Sequence, residues 1–219
     1  CDVDPNGRST GPLCADLSLV RRDGRFRRRL VNSNVATSDL IAQYAWSPDG
    51  RSIVFERYDP RGLAIVDVRT GAIRAVPGVG RRGAADPAWA RSGWIVFARQ
   101  RGPFRGSDVY AVRPSGRSLH RVCRAQNAMR ATVSDDGRRV AFLDFRPTPD
   151  QNVWLVRVAP LEGGRCRGVG RASAEWTLSW SPDGTRLLWE NEGARLVVGR
   201  ADGSRLPRVL TRGTLADWG

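Results

Sequence analysis

Short apolar segments separated by tight polar turns recur along the whole chain. In the clearest copy, Trp46 and a serine are followed by Pro48, Asp49 and Gly50, and residues 53–55 form the next apolar segment. Pro48 presets φ at about −65°, Asp49 can accept hydrogen bonds from nearby backbone, and Gly50 tolerates the positive φ that closes a reversal. The pattern predicts two antiparallel strands joined by a tight turn.

The same turn returns at a regular interval. A near copy contains Trp180, Pro182, Asp183 and Gly184, and degenerate copies lie at Trp89 and Val133. The chain ends shortly after a fifth copy begins at Trp218. The five anchor positions are 43, 44, 47 and 38 residues apart. A period of about 40 to 45 residues with four short strands per unit predicts an all-β protein, a β-propeller of four-stranded antiparallel blades.

The two ends of the chain complement each other in this scheme. Residues 215–218 supply a first strand, and residues 16–31 supply the later strands of the same blade. Pairing them closes the ring and removes two exposed strand edges. The anchors give five blades, with six as the alternative if the chain is truncated. We expect one propeller domain over residues 1–219.

The repeat resembles the TolB-type, WD-like propeller repeat of bacterial proteins. Two stretches carry the likeness, residues 46–55 and 180–189, together with strands that open Asp16-Leu17 and Asp108-Val109. Outer turns such as Arg22-Asp23-Gly24 also match. The resemblance implies the fold and is nearly silent on activity, because propellers host many functions.

The charge balance is strongly basic and is carried by arginine alone. The net charge is +14, and all 36 basic residues are Arg. One interpretation is a surface for an anionic polymer. The other is a biased composition that places arginine wherever a solvated cation suffices. The densest run comprises Arg21, Arg22, Arg25, Arg27, Arg28 and Arg29.

The four cysteines favour an oxidising compartment. Their spacing does not match a zinc site, and an even count without a thiol motif fits two disulfides. We favour the pairs Cys1–Cys14 and Cys123–Cys166, the second because both residues fall late in successive repeats. Four unpaired buried thiols and a lipidated Cys1 are the alternatives. The predicted location is extracytoplasmic: periplasmic, secreted or at the cell surface.

Few residues suggest catalysis or metal binding. His120 is the single histidine and has no evident serine partner, so a triad is not predicted. Scattered carboxylates such as Asp86 and Glu190 give no reason for a working pair. No metal or other cofactor is expected, and no apolar run is long enough for a membrane span. Asp49 and Asp183 are interpreted as turn residues, not catalysts.

A binding surface is the better hypothesis. The position three residues before each anchor is occupied in turn by Gln43, Asp86, Arg130, Thr177 and, at the last anchor, Leu215. In equivalent blades these residues form a ring at one mouth of the central channel, over a rigid scaffold. The main hypothesis is therefore a non-catalytic, monomeric, exported module that binds or scaffolds a protein partner, in one version at the cell envelope. The alternatives are a carbohydrate-active enzyme on a five-bladed propeller and a binder of an anionic polymer.

Overall fold

The computed structural model is built entirely from strands and turns. It describes residues 17–24, 27–31, 43–58, 61–80, 83–102, 105–149, 151–173, 178–191 and 195–212. Every regular element in these ranges is a β-strand, and none is a helix. The described part also contains no helix that is long and apolar enough to span a membrane.

The strands group into one hairpin and four complete blades. Blade 1 contributes β1 (Leu17–Val20) and β2 (Arg27–Val31). Blade 2 is β3 (Tyr44–Trp46), β4 (Ser52–Tyr58), β5 (Arg61–Asp67) and β6 (Ile73–Ala75). Blade 3 is β7 (Ala84–Trp89), β8 (Ile95–Gln100), β9 (Ser107–Val112) and β10 (His120–Cys123). Blade 4 is β11 (Ala128–Val133), β12 (Arg139–Pro147), β13 (Asn152–Pro160) and β14 (Arg167–Ala172). Blade 5 is β15 (Leu178–Trp180), β16 (Arg186–Asn191), β17 (Arg195–Arg200) and β18 (Arg208–Arg212).

Each complete blade is an antiparallel sheet whose strands follow chain order. The first strands β3, β7, β11 and β15 contact one another in succession, so they form the inner wall of the propeller. The hairpin β1–β2 packs on blade 2 as the outer half of a further blade. This arrangement confirms the predicted all-β, five-bladed fold.

The hydrophobic core lies between the blades because each sheet has two apolar faces. Ile53 and Phe55 of β4 face the β1–β2 hairpin, whereas Val54 faces blade 3. The same alternation continues through β8, β12 and β16, so successive blades share one cluster at each interface. A strand buried on both faces reads as a continuous apolar run, as residues 53–55 do.

The predicted turn chemistry is present in three blades. In blade 2, the Ser47 hydroxyl donates to Asp49 Oδ1 at 2.6 Å, and the amide of Arg51 donates to the same oxygen at 3.0 Å. Gly50 closes the turn at φ 67°. Asp136 and Asp183 repeat the role of Asp49. The hydroxyl of Ser181, followed by the amide and hydroxyl of Thr185, lowers the pKa of Asp183 to about 2.

One predicted disulfide is present. Cys123 ends β10 of blade 3, and Cys166 precedes β14 of blade 4, with their Cα atoms 6.0 Å apart. The bond therefore links the outer parts of neighbouring blades, as the spacing predicted. Cys1 and Cys14 lie outside the described residues, as do Thr177, Leu215, Trp218 and the strand predicted over residues 215–218.

Several arginines join one blade to the next through backbone carbonyls. Arg28 of β2 donates to the carbonyl of Arg69 at 2.7 Å, and Arg74 of β6 donates to that of Pro114 at 2.7 Å. Arg167 of β14 donates to the carbonyl of Asp202 at 2.8 Å. In each case a cation at the start of an outer strand reaches the outer turn of the following blade. We call Arg28, Arg74 and Arg167 the inter-blade arginines.

Candidate functional site

Three of the four predicted channel-mouth residues lie together in the described structure. Gln43 directly precedes β3, Asp86 is the third residue of β7, and Arg130 is the third residue of β11. All three side chains are half-buried where the inner strands begin. We call Gln43, Asp86 and Arg130 the mouth cluster.

A β-bulge places two members of the cluster in equivalent positions. In β7 the register shifts between Ala85 and Ala88, and in β11 it shifts between Met129 and Thr132. The bulged residues Asp86 and Arg130 both have φ 51°. Such left-handed backbone costs about 1 to 3 kcal/mol at a residue other than glycine, and bulges re-aim side chains near functional sites. The same strained β-bulge therefore occurs at equivalent positions in the first strands of two successive blades.

Hydrogen bonds connect the mouth cluster across three blades. The backbone amide of Arg130 donates to Asp86 Oδ2 at 2.9 Å. The Arg130 guanidinium, through Nη1, donates to Gln43 Oε1 at 3.2 Å. Arg130 thus reaches from blade 4 past blade 3 to blade 2. The cluster presents a carboxylate, a guanidinium and an amide within one network.

Glu56 adds a second carboxylate to this region. Its backbone amide donates to the carbonyl of Gln43 at 3.1 Å. Burial, followed by the negative charge of Asp86, raises the pKa of Glu56 to about 7, against the lowering effects of Arg61 and of the Asp86 amide. A half-buried carboxyl that shares its surroundings with another carboxylate can hold a proton near neutral pH. Such perturbed groups mark candidate functional sites.

The sequence did not single out Glu56. It continues the apolar run of residues 53–55 on the face of β4 that Val54 turns toward blade 3. A charge directly after three buried residues is the one signal that could have drawn attention to it.

Asp144 is a further buried carboxylate, and its partners are structural. Asp144 is fully buried, and its Oδ1 accepts the amides of Gln126 at 2.8 Å and Asn127 at 3.2 Å. Its Oδ2 accepts from Arg146 and Arg157, both at 3.0 Å. This network holds the connection between blades 3 and 4 in place. Buried charges that are paired and bonded in this way need no functional explanation.

His120 also has a structural setting. It lies in the outer strand β10, with Nδ1 2.9 Å from the carbonyl of Ser118 and Nε2 3.0 Å from that of Leu161. Its ring packs edge-on against Trp94, with the ring centroids 5.1 Å apart. These contacts join blade 3 to blade 4. Within the described residues, no group of three or more His, Cys, Asp or Glu could hold a metal ion.

The fold is similar to that of several solved structures. A structure assigned as TolB from Agrobacterium tumefaciens superposes with a TM-score of 0.72 at 18% identity, over 95% of this chain and 73% of that protein. TolB from Acinetobacter baumannii aligns over 91% of this chain and 60% of its own, at 18% identity, but its TM-score of 0.45 is too low to establish a shared fold.

Two enzymes are similar to a comparable degree. An oligogalacturonate lyase in complex with manganese gives a TM-score of 0.67 at 12% identity, over 90% of this chain and 59% of the lyase. A puromycin-hydrolysing peptidase of Mycobacterium tuberculosis gives 0.64 at 19% identity, over 89% of this chain and 35% of the peptidase. No protein-family model and no curated protein matches the sequence. At these identities the likeness establishes the fold and not the activity.

Proposed function

We propose that this propeller is a non-catalytic module that binds a protein partner at the channel mouth. The observation that carries the proposal is the mouth cluster, in which Arg130 bonds to Asp86 and Gln43 across three blades. Strained backbone persists only where the surrounding structure enforces it, and it concentrates at functional sites. Two such positions, at Asp86 and Arg130, lie in the neighbouring inner strands β7 and β11.

The chemistry of the cluster suits a polar peptide segment. A carboxylate, a guanidinium and an amide can pair with main-chain N–H and C=O groups and with side chains of either charge. A rigid propeller supplies the preorganised scaffold that makes binding to such a set efficient. The module acts as a monomer in this proposal, and its single domain spans residues 1–219.

An extracytoplasmic location accompanies the proposal. The disulfide between Cys123 and Cys166 is of the kind that persists in oxidising compartments and is rare in reducing ones. The periplasm, the cell surface and the medium all meet this condition, and a partner at the cell envelope fits each of the first two.

A copurification experiment tests the proposal. The double variant Asp86→Ala/Arg130→Ala removes one charge of each sign from the mouth. Arg91→Ala/Asp135→Ala is the matched control, because these residues form an exposed ion pair of 3.8 Å elsewhere. We expect proteins captured by the wild type from extracts of the source organism to be retained by the control and lost by the mouth variant. Equal capture by both variants contradicts a partner at the mouth.

A carbohydrate-active enzyme is the second candidate, and Glu56 is the observation in its favour. With a pKa raised to about 7, Glu56 can donate a proton at neutral pH. The oligogalacturonate lyase shares the fold and suggests acidic oligosaccharides as the substrates to try. Removing a general acid costs typically about 10²- to 10⁴-fold in rate, so Glu56→Gln should lower any turnover by about that factor. Absence of turnover across a panel of oligosaccharides removes this candidate.

Binding of an anionic polymer over a broad arginine surface has less support. Seven arginines of the described part already donate to backbone carbonyls, namely Arg28, Arg74, Arg101, Arg113, Arg139, Arg157 and Arg167. Their charge is partly committed to holding the fold. A polymer interface predicts steep weakening of binding with salt.

A further inference from the structure

We propose that a pocket beside the turn between β17 and β18 binds an oxyanion group with more than one negative charge, such as a phosphate ester. The pocket has a volume of about 290 Å³. Its lining residues fall between positions 186 and 208, whereas the mouth cluster falls between positions 43 and 130. Its lining includes four arginines, which are Arg186, Arg200, Arg205 and Arg208.

The strand register places three of these arginines on one face of blade 5. Arg186 lies directly opposite Arg200 in the β16–β17 ladder, and Val198 lies opposite Arg208 in the β17–β18 ladder. Val198 and Arg200 are two residues apart, so they share a face of the strand. The opposite face packs on blade 4 through Leu187 and other apolar side chains. The basic face therefore points away from blade 4.

The charges of this face are poorly balanced. Within the described part, Asp202 is the one carboxylate in ion-pair range of the four arginines, with an oxygen 3.5 Å from Arg200 Nε. Asp183 lies near Arg186 but is already engaged by Ser181 and Thr185. Like charges directly opposite in a sheet, as at Arg186 and Arg200, are unfavourable. A bound multivalent anion relieves this repulsion.

Arg208 differs from its counterparts in the other blades. The inter-blade arginines Arg28, Arg74 and Arg167 occupy the first or second position of an outer strand, and each donates to a carbonyl of the following blade. Arg208 is the first residue of β18, yet neither its side chain nor that of Arg205 forms a hydrogen bond or ion pair within the described residues. These two guanidinium groups remain available to a ligand.

The dimensions of the pocket indicate the ligand class. A volume near 290 Å³ is at the small end for ligand sites and suits a single anionic group. Guanidinium forks bind phosphate and carboxylate in a bidentate manner, and several together favour the more highly charged phosphate. Leu206 is 94% exposed at the rim, where it can contact an apolar part of the ligand. A soluble phosphate ester and a phospholipid headgroup share this chemistry.

Titration of the full chain with pyrophosphate by calorimetry at low salt tests the site. The variant Arg205→Gln/Arg208→Gln is compared with Arg21→Gln/Arg22→Gln, which removes the same charge from the exposed β1–β2 turn. We expect roughly tenfold or greater weakening in the first variant and little change in the second, since each lost charge-assisted contact weakens binding substantially. Arg205→Lys, which keeps the charge but loses the fork, should bind at an intermediate level.

A second arm separates the two sources of phosphate. Cosedimentation with phosphatidylcholine vesicles that contain phosphatidic acid, whose phosphomonoester can carry two negative charges, is compared with phosphatidylcholine alone. Binding that depends on Arg205 and Arg208 identifies a lipid headgroup. Pyrophosphate binding without vesicle binding identifies a soluble ester.

Two results would overturn the proposal. One is no pyrophosphate binding by the wild type. If Arg208→Gln then also destabilises the fold as strongly as Arg167→Gln, Arg208 is a further inter-blade arginine, with a backbone carbonyl as its partner. The other is equal weakening in both double variants, which indicates only general electrostatic attraction.

Discussion

At the scale of single residues, Trp180 shows how the repeated turn contributes to the core. Its ring is buried, its Nε1 donates to the carbonyl of Thr132 at 3.3 Å, and the Arg139 guanidinium lies 5.4 Å from the ring centroid. The anchor tryptophan of blade 5 thus seals the interface with blade 4. Trp46, the anchor of blade 2, is 43% exposed.

Trp180→Ala should therefore destabilise the protein far more than Trp46→Ala. Truncating a buried tryptophan costs about 3 to 5 kcal/mol through lost burial and the cavity left behind. Urea denaturation of both variants measures the difference in the free energy of unfolding. Equal costs at the two positions would refute the burial of Trp180.

Glu56 predicts a pH dependence of stability with a definite sign. Its pKa rises from the ordinary 4.5 in the unfolded chain to about 7 in the fold. Between these values the folded state binds more protons than the unfolded state, so stability falls as pH increases. Because the group is only half-buried, solvent screening reduces the effect to on the order of 1 kcal/mol.

Glu56→Gln should flatten this part of the pH profile and raise the melting temperature at neutral pH by about 2 to 4 °C. Thermal unfolding between pH 4.5 and pH 8 gives the comparison. Asp135→Asn is the control, because Asp135 is exposed on a turn remote in sequence. A profile in the Glu56 variant that still falls over this range counts against the raised pKa.

At the scale of elements, the strands were predictable and their bulges were not. The residue types of turns such as residues 47–50 specify the reversal, so the sequence indicates where these turns and the strands beside them lie. Glycine and asparagine are the residues that most often indicate positive φ, but positions 86 and 130 hold Asp86 and Arg130. The sequence pattern alone therefore indicates that these two inner strands begin at positions 87 and 131, three residues after β7 and β11 begin in the structure. Their extra residues pair across the bulge.

The grouping of the mouth cluster follows from repeat equivalence, which depends on sequence spacing alone. Its second carboxylate, Glu56, depends on which blade faces β4 and could not be derived locally. The carbonyl partners of the inter-blade arginines could not be predicted either. Every residue has a backbone carbonyl, so the sequence does not indicate which one accepts the hydrogen bond. Composition alone therefore left open whether arginines such as Arg74 were merely solvated.

The bulge in β11 can be tested with a pair of substitutions at Arg130. Both Arg130→Gly and Arg130→Ala lose the bond to Gln43, but only glycine adopts φ 51° without strain. We expect the glycine variant to be more stable than the alanine variant by about 1 kcal/mol, after the entropy cost of glycine. The midpoints of urea denaturation measure the difference between the two variants. An alanine variant that is as stable as the glycine variant, or more stable, argues against backbone strain at position 130.

At the scale of the whole molecule, the disulfide ties two successive repeats together. Cys123 and Cys166 are 43 residues apart, which is one repeat. In the chain-entropy model a loop of this length contributes about 4 kcal/mol, and measured values are typically 2 to 4 kcal/mol. The double variant Cys123→Ser/Cys166→Ser should lower the free energy of unfolding by about 2 to 4 kcal/mol.

Reductant provides the internal control for this prediction. On reduction, the wild-type protein should fall to the stability of the double serine variant measured under the same reducing conditions. Any sensitivity to reductant that the double variant retains reports on a second bond, predicted between Cys1 and Cys14. A double variant as stable as the oxidised wild type would show that the bond adds nothing to stability.

The direction of the inter-blade arginines bears on how the chain is made. Arg28, Arg74 and Arg167 each reach forward to a carbonyl that follows them by 35 to 41 residues. A ribosome that adds 5 to 20 residues per second needs roughly 2 to 8 s to supply that carbonyl. In these three blades the cation is therefore unsatisfied until the following blade has been synthesised. Completion of each of these blades is in this way coupled to the synthesis of its successor.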